Sequence, residues 1–76
     1  MLAKITSLAD FFRKVETDER YKTAGIVAYN ESQYTSSTSW NDAKSWLHRW
    51  AESYVGERKR YKDCKAMVEY LNRYIH

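Results

Sequence analysis

The chain has no proline, two glycines, one cysteine and two histidines among its 76 residues. Each shortage closes a class of explanation. Without proline, no segment is barred from helix by a locked φ or a missing backbone donor. Gly25 and Gly56, far apart in the chain, form neither a phosphate-cradling loop nor a dinucleotide fingerprint. With Cys64 alone there is no intramolecular disulfide framework, so a reducing compartment is the expected setting. One cysteine with His48 and His76 far apart in the chain does not make a structural zinc site. No apolar run approaches the ~20 residues that span a bilayer. Asp10, Arg13 and Lys14 interrupt the apolar residues near the start, where a signal peptide would need them continuous. The expected setting is the cytoplasm, with no membrane partner.

What is present is aromatic and charged. Seven Tyr, three Trp and two Phe bring large buried area to a chain that is 43% hydrophobic and 30% charged, the composition of one small folded domain, residues 1–76. A core of this size contributes about 3–5 kcal/mol, so a homodimer is a natural supplement.

The periodicity is helical. Ser7 with Asp10 resembles a capping box, and Leu8, Phe11, Phe12 and Val15 follow as an apolar stripe ending near Thr17. Residues 18–31 place Tyr21, Ala24, Gly25, Ala28 and Ser32 on one small-residue face. The run Gly25–Tyr29 reads as helix or as a buried strand, helix being favoured because no second strand is evident. Residues 32–39 form a hydroxyl-rich polar connector, with Ser39 and Asp42 as the expected start of the next helix. Over 40–55, Trp40, Ala43, Leu47, Trp50, Ala51 and Tyr54 share an arc of about 100°, so Trp40 and Trp50 are expected in the core. Tyr61, Cys64, Val68, Leu71 and Ile75 repeat the pattern, with Met67, Tyr70 and Tyr74 flanking it. Gly56 either ends the third helix or lies within one longer helix. The expected fold is all-α: a small bundle of three to four helices with a C-terminal antiparallel helical pair.

The charge is concentrated. The net charge is +3, and residues 57–65 carry five Lys/Arg against two acids, whereas residues 1–56 carry seven of each sign. Arg58, Lys59, Arg60, Lys62, Lys65 and Arg73, with Arg49 on the preceding helix, form a candidate phosphate-contacting face. The same residues also suit an ordinary solvated helix paired with Glu57, Asp63 and Glu69. Trp46, at the edge of its helix's apolar arc, and Tyr34 in the connector are candidates for stacking or protein contact, as are Tyr70 and Tyr74. For Trp46, packing against a neighbouring helix is the competing role.

No nucleophile–base–orienter set and no carboxylate pair can be placed. His48 with Glu52 reads as a surface pair, and Cys64 as a buried small hydrophobe. The chain is expected to be a binding protein that is not an enzyme and needs no cofactor.

Ala24-Gly-Ile-Val-Ala28 and Trp46-Leu-His-Arg-Trp50-Ala51 together resemble the ribosome modulation factor family over residues 24–51. That family is short, basic and helical, binds ribosomal RNA and promotes inactive ribosome dimers. The resemblance implies that Trp46 and Trp50 belong to a packed helical hairpin and that nearby basic residues face RNA. Two functions follow as expectations. One is association with RNA or a ribonucleoprotein through the basic C-terminal helix. The other is a protein-binding adaptor or inhibitor, of the kind viruses and plasmids encode, that meets an acidic partner through an aromatic helical surface.

Overall fold

A computed structural model describes residues 1–55 and 65–76, the side chains of 53–55 excepted. Four helices follow one another: α1 (Leu8–Thr17), α2 (Glu19–Gln33), α3 (Trp40–Val55) and α4 (Lys65–Asn72). Among the described residues there is no strand, so 23–29 is helix. Gly56, Tyr61 and Cys64 lie outside the described residues, as does the question of how α3 connects to α4.

The first boundary is set by caps. Ser7 Oγ accepts from the Asp10 N–H at 3.0 Å, as the sequence suggested. The Asp10 carboxylate reaches back to the Thr6 N–H (3.0 Å) and meets Lys14 (2.7 Å) and Arg13 (3.0 Å). It is buried at 4% exposure with each oxygen satisfied, as a buried carboxylate requires. The Lys14 hydrogen bond, aided by Thr6 and Arg13 against the opposing effect of burial, holds its carboxyl well below the usual 3.8. Asp18 ends α1 in extended backbone and caps α2 through the Arg20 N–H. One residue thereby closes one helix and opens the next.

α2 is the central element, packed against α1, α3 and α4. Its small residues allow this. A Cβ on Gly25 would stand 3.0 Å from Trp40 Cζ3 and 3.1 Å from Phe11 Cζ, closer than packed carbons normally approach. Leu8, Phe11, Leu47, Met67, Leu71 and Ile75 form the fully buried centre.

Two expectations about faces and one about a boundary are corrected. Trp40 and Trp50, expected in the core, are only partly buried, whereas Trp46 takes the packed role of the two open to it, at 7% exposure. A single-helix arc takes no account of Tyr29 of α2 and Tyr70 of α4, which close over the Trp46 edge. On α4 the buried line is Met67, Leu71 and Ile75, with Val68 at its margin. Helical periodicity stops at Asn72: the Arg73, Tyr74 and Ile75 N–H groups donate to carbonyls three residues back, and this tighter turn brings Ile75 inward. The polar connector begins later than expected, since Ser32 and Gln33 still belong to α2.

The two chain ends are tied together. Leu2 N–H donates to His76 O at 2.8 Å, and the Asn72 side chain both accepts from Ile5 N–H (2.9 Å) and donates to Ile5 O (3.1 Å). Lys4 Nζ donates to the Asn72 and Ile75 carbonyls at and just beyond the end of α4, Asn72 O also accepting from the Ile75 N–H. Among the described residues no helix is long and apolar enough to cross a membrane.

Candidate protein-contact surface

The C-terminus of α2 carries the one non-glycine residue with positive φ among the described residues. Tyr34 sits at φ 53°, ψ 49°, and its N–H donates to Asn30 O. This left-handed cap is ordinarily glycine or asparagine, and a Cβ there costs about 1–2 kcal/mol. The following loop holds it in place. Asn30 Nδ2 donates to Ser37 O at 2.9 Å, and Asn30 Oδ1 accepts from Ser37 N–H at 3.0 Å. Thr35 N–H donates to Asn30 O. Ser37 Oγ donates to Asp42 at 2.8 Å and accepts from Ser39 N–H, while Ser39 Oγ accepts from Asp42 N–H. The loop is fastened to α2 at one end and α3 at the other. From it the Tyr34 side chain stands in solvent at 97% exposure.

Tyr34 continues a stripe. Helical spacing puts Val27 and Glu31 on one face of α2, Tyr34 following at its C-cap, and Val27 is itself 40% exposed. Beside them lies the aromatic edge of α4. Tyr70 Oη donates to Ala28 O at 3.4 Å and accepts from Tyr74 Oη at 3.5 Å. Burial, the Tyr74 contact and the nearby Glu31 charge push the Tyr70 hydroxyl up to about 12. The Arg73 guanidinium carbon lies 5.6 Å from the Tyr70 ring centre, within cation–π range.

Behind this edge the rings are continuous. Tyr29 meets Trp46 at 5.7 Å, Trp46 meets Trp50 at 5.4 Å, and Tyr70 meets Trp50 at 6.0 Å and Tyr74 at 5.4 Å. Tilted and edge-on pairs of this kind each add about 0.5–1.5 kcal/mol beyond their buried area. They make a stiff backing for the exposed residues in front.

The expected contact residues therefore divide. Tyr34 is exposed, Tyr70 and Tyr74 are partly exposed on a common edge, and Trp46 takes the packed role of the two considered for it. Of the basic set, Arg49, Lys65 and Arg73 are exposed. Arg73 falls in the turn after α4 and covers Tyr70, whereas it was expected on the helix's basic face. Arg58, Lys59, Arg60 and Lys62 lie outside the described residues. His48 stacks flat on Phe12, with ring centres 5.1 Å apart and planes 8° from parallel. Val27 and Glu31 were not singled out from the sequence; their i, i+4 spacing was the available signal. Among the described residues no group of His, Cys, Asp and Glu could hold a metal ion. Comparison with family models, with curated proteins and with solved structures finds no match to this chain, so the likeness to the ribosome modulation factor family rests on its residues alone.

Proposed function

We propose that this chain is a small protein-binding module, an adaptor or inhibitor, that engages a partner through the α2–α4 surface formed by Val27, Glu31, Tyr34, Tyr70, Arg73 and Tyr74. The observation that carries this reading is Tyr34: an almost fully exposed tyrosine, in a strained backbone conformation, on a loop fastened by side-chain hydrogen bonds at both ends. Strain that a hydrogen-bonded surround maintains on a solvent-facing residue is characteristic of recognition sites. Tyr and Arg are enriched among residues that dominate binding energy, and a loop backbone held in advance lowers the ordering cost of association. The net charge of +3 favours an acidic partner surface.

Association with RNA through the basic segment is the competing outcome, and capture from lysate separates the two. Protein recognition gives retention that survives nuclease, changes little with salt, and is lost in Tyr34→Ala. A phosphate-binding protein instead shows nuclease-sensitive retention with a steep logarithmic salt slope, abolished by charge reversal at Arg58, Lys59 and Lys62 and indifferent to Tyr34→Ala.

A further inference from the structure

On the α1–α3 side a groove of about 560 Å³ opens to solvent, within the ~300–1,000 Å³ range of pockets that hold discrete ligands. Its floor is Phe12, Val15 and Trp40. The Phe12 and Trp40 rings meet edge-on at 6.4 Å and, partly exposed, form a small apolar patch within a largely polar lining. Gly25 deepens the groove, because the absent Cβ lets Trp40 sit against the α2 backbone.

The rims carry opposite charges. Glu16 and Glu19 stand at the α1–α2 corner, and Lys22 and Lys44 belong to α2 and α3. Among the described residues none of these four makes an ion pair. The third acid of the corner is already committed, since Asp18 holds Arg20 at 2.7 Å and caps α2. An occupant of one sign would bring one rim against like charge, whereas an occupant carrying both signs satisfies both rims.

We infer that this groove receives a peptide segment of a partner protein in which an apolar anchor residue lies between one acidic and one basic residue. The anchor ring packs on the exposed patch of Phe12 and Trp40, its acidic neighbour meets Lys44 or Lys22, and its basic neighbour meets Glu16 or Glu19. The site shares no residue with the Tyr34 surface, so either can fail while the other stands.

The test uses the full ¹⁵N-labelled chain titrated with capped tripeptides, acetyl-Asp-Phe-Lys-amide and acetyl-Lys-Phe-Asp-amide covering both directions. At least one is expected to give saturable shifts at Phe12, Val15, the Trp40 indole and Lys44. The same peptide with glycine in place of phenylalanine should give none. Glu16→Lys and Lys44→Glu, both at exposed positions, should each weaken binding about two- to fivefold, the worth of an exposed ion pair. The doubly charge-swapped protein should recover affinity for the peptide of reversed order. Absence of saturable shifts up to about 10 mM peptide, well beyond the weakest useful affinity, overturns the inference. So does equal binding of the glycine peptide, or tighter binding of acetyl-Asp-Phe-Asp-amide or acetyl-Lys-Phe-Lys-amide than of the dipolar pair.

Discussion

Two aromatic clusters share α3 and are finished differently. Around Gly25, the buried Phe11 ring backs Phe12 and Trp40, which with His48 are partly exposed and line a groove. Between α2, α3 and α4, Tyr29, Trp46, Trp50, Tyr70 and Tyr74 close on one another and join their hydroxyls to the α2 backbone. Aromatic content alone does not distinguish stabilising area from recognition area. What distinguishes them is whether a second helix covers the ring. Trp46 is covered by both α2 and α4, whereas Trp40 has α1 and α2 beneath it and open space beside it.

The largest expected effect breaks the closed cluster. Trp46→Ala should cost about 3–5 kcal/mol, a large part of the ~4–11 kcal/mol total stability of a domain this size. Phe12→Ala in the open cluster should cost less, about 1–2 kcal/mol, because that ring is only partly buried. Urea unfolding of the two variants measures the contrast, and equal losses would erase the distinction between the clusters.

Acid and alkali sharpen the same contrast. The Asp10 carboxyl is depressed in the folded protein, so its stabilising contribution is complete above about pH 5 and is lost as pH falls through 3.8 toward its lowered folded value. Asp10→Ala should cost about 1.5–3 kcal/mol at neutral pH, the worth of hydrogen bonds to a charged group, and should flatten the acid limb of a stability–pH curve. Tyr70 is raised instead. Its contribution is complete below pH 10 and is lost as pH climbs toward about 12. Tyr70→Phe should cost about 0.5–1.5 kcal/mol at neutral pH and flatten the alkaline limb alone. An unchanged alkaline limb in that variant would show that the hydroxyl chain to Ala28 and Tyr74 does not hold α4 in place.

The smallest expected change in stability is at the proposed contact residue. Tyr34→Ala keeps the same left-handed strain and removes only a solvated ring, so its stability should stay within about 0.5 kcal/mol of the parent.

Helix content, the Ser7 and Ser39 caps and a break near Thr17 were legible because they depend on neighbours in sequence, although Asp18 as the cap of both helices was not singled out. Gly25 sat on the expected small-residue face for a legible reason too: a helix meant to be approached closely lacks side chains there. The orientation of the tryptophans was not legible. Trp46 and Trp50 differ by one helical turn, and which of them is covered depends on where α4 returns. Ile75 was expected on the apolar stripe and is buried, but the tighter turn that carries it there goes with the Asn72 and Lys4 contacts to the opposite end of the chain. Tyr34 was recognisable as a candidate by its place in a hydroxyl-rich connector. Its strain and its fastening by Asn30 and Ser37 required coordinates, because both arise from bonds spanning seven residues. The basic cluster at 58–62 was the clearest charge signal in the chain, yet its residues fall outside those described.

The most direct measurement is photo-cross-linking from position 34. With a benzophenone amino acid replacing Tyr34, protein recognition through this loop predicts one discrete adduct with a single protein, formed equally in nuclease-treated extract. The same label at exposed Glu52 should yield none. Adducts that appear from both positions alike, or that vanish with nuclease treatment, would contradict it.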